Sequence, residues 1–141
     1  MPDLTDLVKH QLTLLETLQT QLETELHLIS SRDADTLTTL LTDKSATLDE
    51  LAAHDKLIEQ AYAKEYDANN SEHIDELFGQ ARKLVEQCKY RTEINEKAVE
   101  QGQLRLEHLR NLLLEARSKE SMTYDKSGKP KGGSSTKGVS A

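Results

Sequence analysis

Apolar residues recur along this chain at steps of three and four, the spacing that keeps side chains on one face of an α-helix. Between about Asp3 and Ile29 the stripe runs through Leu4, Val8, Leu15, Leu18, Leu22 and Ile29, with Gln11 and Glu25 as polar interruptions. Leu12, Leu14, Leu26 and Leu28 flank it. So broad an apolar face suits a helix bundle better than a two-stranded seam. A second stripe, from about Ala34 to Tyr66, threads Leu37, Leu41, Lys44, Leu48, Leu51, Asp55, Ile58 and Tyr62. Lys44 and Asp55 are expected at its edge, with their charges turned outward. The third stripe, from about Glu72 to Lys119, takes in Phe78, Ala81, Val85, Cys88, Thr92, Asn95, Val99, Gly102, Leu106, Leu109, Leu113 and Ala116. Its middle is weak, where Thr92, Asn95 and Gly102 replace large apolar groups. Its end is strong: Leu104, Leu106, Leu109, Leu112, Leu113 and Leu114 crowd together.

Two short polar stretches separate these segments. Ser30-Ser31-Arg32-Asp33 reads as a stop and restart, with Ser31 or Asp33 able to accept from the free amides of the next helix. Asp67-Ala68-Asn69-Asn70-Ser71 is the second turn, with Asn70 or Ser71 as the cap. The only prolines are Pro2 and Pro130, so no proline ring breaks the chain between them. The predicted fold is all-α: an antiparallel, coiled-coil-like bundle of three long helices at about 3–29, 34–66 and 72–119, filling residues 1–120. There is room for a short fourth element near 118–125. Residues 121–141 read as a flexible tail containing Tyr124. From about Lys126 that tail is so rich in Gly, Ser and Lys that it cannot bury enough apolar surface to offset chain entropy.

Composition narrows the function. Ala, Glu, Lys, Leu and Arg make up about half of the 141 residues and only 4% are aromatic, a long-helix composition rather than that of a sheet. The net charge is −7, which argues against nucleic acid as a partner. Residues 118–141 are the exception, with five lysines against Glu120 and Asp125. A single cysteine, Cys88, cannot form an internal disulfide, and its inward position marks a buried thiol. No apolar run is long enough to span a membrane and the N-terminus lacks a signal-peptide layout, so a cytoplasmic location is expected.

Candidate chemistry is sparse. The histidines are His10, His27, His54, His73 and His108, and none forms a Glu-x-x-His or His-x-x-x-His pair suited to a metal. Glu23 with His27 and Glu50 with His54 read as surface contacts one helical turn apart. No glycine-rich phosphate loop or nucleophile elbow occurs, so no enzyme and no cofactor are expected. Asn95 either fixes register through a buried polar contact or faces solvent, and Gly102 either permits a close helix approach or loosens the helix.

Length points to a surface. With short turns, consecutive helices pack antiparallel. The second helix retraces to its start when the third has reached only about Leu104 or Leu106. The final turns of the third, with the densest leucine cluster, are then expected to lack a neighbour. Burying one leucine stabilises by roughly 1.5–3 kcal/mol, so something should cover them. The folded-back tail, a second copy of the chain, or an amphipathic partner helix would each serve.

A three-segment acidic helical chain with a polar break in its third segment and a Tyr-Asp-x-x-Gly tail resembles the FlgN family of flagellar export chaperones. The more specific residues are Thr92-Glu-Ile-Asn95-Glu96, the leucine run to Leu114, and Thr123-Tyr124-Asp125-Lys126-Ser127-Gly128. Asn95 matches the second Asn of the family's Asn-x-x-Asn-Gly motif, whereas Thr92 and Glu96 stand in place of its first Asn and its Gly. The resemblance implies binding of the C-terminal helices of the hook–filament junction proteins FlgK and FlgL. Delivery would follow to the export gate of the type III machinery. It places client binding in about residues 99–116, on Val99, Leu106, Leu109, Leu112, Leu113 and Ala116. It places docking to the gate protein FlhA at Tyr124, as a monomer or weak homodimer. The competing reading is a structural coiled-coil adaptor that self-associates through the same leucines.

Overall fold

The computed structural model describes the backbone of residues 2–128 and the side chains up to Glu120. Three helices follow one another: α1 over Leu4–Ser31, α2 over Ala34–Glu65 and α3 over Glu72–Gly128, with a 3-10 turn at Ala68–Asn70 before α3. The chain divides into two units, Met1–Ala98 and Val99–Ala141. The first unit holds α1, α2 and the leading part of α3. The second holds the rest of α3.

Local chemistry sets the helix ends. Asp3 caps α1 by accepting from the Asp6 amide at 2.9 Å. The carboxylate of Glu65, the last residue of α2, accepts from the Leu4 amide at 2.6 Å, which places negative charge at the positive end of α1. Arg32 closes α1 in the left-handed region, with φ 61°. Of the two caps that the sequence offers at that turn, Asp33 is the one used: it accepts from the Thr36 amide and hydroxyl. Those two bonds hold its carboxyl below the ordinary aspartate range, so its contribution to stability is present at neutral pH and fades as pH falls through that lowered value.

The core belongs mainly to α1. Among the described residues, nine of its apolar side chains are buried, against Ile58 alone from α2 and Ile74, Leu77 and Cys88 from α3. One cluster joins Leu4, Leu7, Val8 and Leu12 to Ile58, Ile74 and Leu77; a second joins Leu18 and Leu22 to Cys88, with Leu51 against it. Contacts fix the directions. Moving up α1, Leu4 meets Glu65, Leu7 meets His54 and Glu25 meets Lys44, so α1 and α2 run antiparallel. Leu15 meets Cys88 and Leu22 meets Asn95, so α1 and α3 run parallel. The Cys88 thiol points at the Leu15 carbonyl, and burial raises its pKa against a smaller opposing pull from Arg91.

Several positions differ from the sequence expectation. In α2 the inward line is Leu37, Leu40, Lys44, Thr47, Leu51, His54, Ile58 and Ala61, all buried or half-buried. Leu41, Leu48 and Tyr62, expected inside, are exposed. The leucines of α1 fill the interior, and the smaller Thr47 and Ala61 let α2 approach them. Lys44 is turned inward because Glu25, on the apolar face of α1, requires a partner. His54 is half-buried and donates from Nε2 to the Leu7 carbonyl at 2.7 Å, with the His10 ring edge-on at 4.6 Å, so it is no surface contact for Glu50. The third helix runs past Lys119 to Gly128 and takes in the stretch expected as a separate fourth element. No proline lies between Asp3 and Gly128 to interrupt it. The remainder of the expected tail, residues 129–141, lies outside the described residues.

One polar network ties all three helices. Asn95, 5% exposed, donates from Nδ2 to the Leu22 carbonyl at 3.0 Å and to Glu25 Oε1 at 2.6 Å. Glu25 Oε2 accepts from Lys44 Nζ at 2.8 Å, with side-chain exposures of 8% for Glu25 and 21% for Lys44. Removing one partner of a fully buried pair costs about 3–5 kcal/mol, whereas replacing both with apolar groups is often neutral. Lys44→Leu alone should therefore lower unfolding stability by about 1–3 kcal/mol, a figure reduced for Lys44's partial exposure. Glu25→Leu with Lys44→Leu should recover most of that loss. Urea unfolding followed by circular dichroism tests both, and equal stabilities for the single and double variants would contradict the account.

Candidate functional site

Two apolar features remain uncovered, one in each unit. In the second unit, Val99, Leu104, Leu106, Leu109, Leu112 and Leu113 are between 45% and 63% exposed. Ala116 is exposed as well, while Leu114 is half-buried. Val99, Leu106, Leu109, Leu113 and Ala116 follow one another at steps of seven, three, four and three, so they form a single strip along α3, with Leu112 on its flank. The helix forms here because leucine, glutamate, arginine and alanine are strong helix formers, and Gly102 is its only weak point. A Cβ added at Gly102 would meet nothing within 4 Å, so no close helix approach explains this glycine.

The strip has a charge pattern of its own. Helical spacing puts Arg105 beside one edge and Arg110 and Arg117 beside the other, and all three are exposed. Glu107 and Glu115 fall on the back of the helix. The strip is thus a line of leucines bordered by cations on both sides. Tyr124 stands on the helical backbone four residues before the end of α3, and its side chain lies outside the described residues.

In the first unit the three helices leave a groove between α2 and α3. Its floor is Val8 and Leu15 of α1, and Ile58 lines it from α2 and Phe78 and Val85 from α3. The groove encloses about 470 Å³ and continues past Ile58 and Phe78 into a second recess of about 480 Å³ under Tyr62. Tyr62 stacks on Tyr66 at 4.4 Å and meets Phe78 edge-on at 5.8 Å. Exposed Leu41 and Leu48 lie on the same line of α2 as Asp55 and Tyr62. The residues that the sequence pattern assigns to the interior, Phe78 and Val85 among them, thus line a groove open to solvent.

Among the described residues, no three His, Cys, Asp or Glu side chains come together to hold a metal. Among the same residues, no helix is long and apolar enough to cross a membrane. Cys88 is buried, and its thiol points at the Leu15 carbonyl.

The family model described as FlgN protein matches residues 1–132, nearly the whole chain. No curated protein and no solved structure gives a significant match. Three long helices and no strand among the described residues agree with that match. The chain belongs to the FlgN family of flagellar export chaperones.

Proposed function

We propose that this protein is a cytoplasmic chaperone that binds the C-terminal helices of FlgK and FlgL and brings them to the export gate. The observation that carries this reading is the strip of exposed leucines from Val99 to Ala116. An amphipathic client helix laid along it would bury apolar groups on both partners, each leucine contributing roughly 1.5–3 kcal/mol before the cost of association. While bound, the client's own apolar stripe is hidden and cannot polymerise or be degraded. Release at the gate needs no nucleotide, only competition for a surface of moderate affinity.

The arginines bear on the alternative of self-association. Two copies packed strip to strip would set Arg110 and Arg117 against the same residues or against Arg105, whichever way the helices run. Like charges across a seam are unfavourable, so the leucines are better matched to a foreign helix with acidic flanks than to a second copy. For Tyr124, a tyrosine combines apolar area with a hydroxyl, which suits docking to FlhA.

Titration with C-terminal peptides of FlgK and FlgL tests the client site. Leu109→Asp should weaken binding by more than about tenfold, since a charge would stand where the client covers a leucine. Its circular dichroism should stay helical, because Leu109 is already exposed. Unchanged affinity would remove the strip from the site. Tyr124→Ala should leave the peptide affinities intact and reduce capture by the cytoplasmic domain of FlhA. Loss of peptide binding instead would assign Tyr124 to the client.

A further inference from the structure

The groove of the first unit is independent of the leucine strip, and it has a polarity that the strip lacks. Its α2 wall is acidic: Asp55 and Glu59 stand beside Ile58 and Tyr62. Its α3 wall carries Arg82 and Lys89, one on each side of Val85. Glu86 lies on that wall too, 3.9 Å from Lys89, with both side chains mostly exposed, so the lysine charge is only loosely held. Asp75 lines the recess under Tyr62, where it accepts from the hydroxyls of Tyr66 and Ser71. Between the charged walls lies an apolar lining of Val8, Leu15, Ile58, Phe78, Ala81 and Val85, and the α3 wall from Phe78 to Lys89 is about three helical turns long.

We propose that this groove is a second docking surface, for an amphipathic helix of another protein that completes a four-helix bundle. That helix carries an apolar stripe of about three turns, cationic side chains along one flank and acidic side chains along the other. Its cations lie against Asp55 and Glu59, and its acids against Arg82 and Lys89, the way flanking charges choose partners in coiled coils. The asymmetry also sets direction, since turning the helix end for end would exchange its flanks.

Two segments that the chain itself could offer fit poorly. The leucine strip of a second copy carries Arg105 on one flank and Arg110 and Arg117 on the other, so either direction would drive arginine against Arg82 and Lys89. The segment from Lys126 to Ala141 contains only Val139 and Ala141 as apolar residues and cannot supply a stripe.

The test uses the full chain carrying Leu106→Asp and Leu109→Asp, which silences the strip, and three labelled helical peptides of roughly two heptads. All share one leucine stripe; one has mixed flanks of Lys and Glu, one Lys on both, one Glu on both. The mixed peptide should bind at least about tenfold more tightly than either uniform one. Arg82→Glu with Lys89→Glu, both exposed positions, should reverse the ranking in favour of the all-Lys peptide by a similar factor. Val85→Asp should abolish binding of all three. Equal affinities for the three peptides would overturn the proposal, as would a ranking indifferent to the charge reversal. So would a concentration-dependent dimer in sedimentation that Val85→Asp dissolves, because the occupant would then be a second copy.

Discussion

The structure turns on the fact that one helix supplies most of the core. The leucines of α1 fill the interior of the first unit, and α2 and α3 are held chiefly by lying against them. The arrangement reaches its polar limit at Glu25, where a carboxylate on the apolar face must find partners in a place that water scarcely reaches. Asn95 and Lys44 provide them, one from each of the other helices. The network sets the register of α2 against α1 and of α3 against α1 at the same level, a role that apolar contacts perform poorly because they tolerate sliding. Beyond Asn95, the described residues of α3 are half-buried or exposed, and the helix no longer spends its apolar side chains on the core.

Dependence on α1 also explains why two apolar surfaces stay open. A three-helix bundle in which both partners lean on one central face need not close its third side. Here α2 and α3 leave a groove between them, floored by α1 itself. The leucines past Val99 are open for a different reason: they belong to the part of α3 that forms a unit of its own. Open apolar surfaces of this kind mark interaction sites or aggregation liabilities. The charge borders differ, with arginine on both edges of the strip and opposite signs across the groove.

The helices and turns were legible in the sequence because leucine spacing, capping residues and the absence of proline all agree. The broad face of α1 was legible for the same reason. The registers of α2 and α3 were less so. Leu37, Lys44, Leu51 and Ile58 belong equally to a line through Leu41, Leu48 and Tyr62 and to one through Leu40, Thr47, His54 and Ala61, and hydrophobicity alone favours the first. The structure buries the second, since side-chain volume against α1 decides, and periodicity carries no information about volume. Lys44 and His54 were misplaced by the same rule of thumb: their partners, Glu25 and the Leu7 carbonyl, lie on another helix and are invisible to local spacing. The polar, glycine-containing stretch after Lys119 reads as a stop, yet the backbone is helical through Gly128, since no proline interrupts it there. The exposed leucines, by contrast, followed from helix lengths and needed no side-chain detail.

Methyl NMR of the leucine-labelled full chain, titrated with the C-terminal peptide of FlgK, is the most direct measurement of whether the strip is where a client lies. The account predicts that the methyl signals of Leu106, Leu109, Leu112 and Leu113 shift or broaden together, while those of Leu4, Leu12 and Leu22 in the core keep their positions. Shifts confined to the core leucines, or a bound peptide that leaves all four strip leucines unmoved, would contradict it.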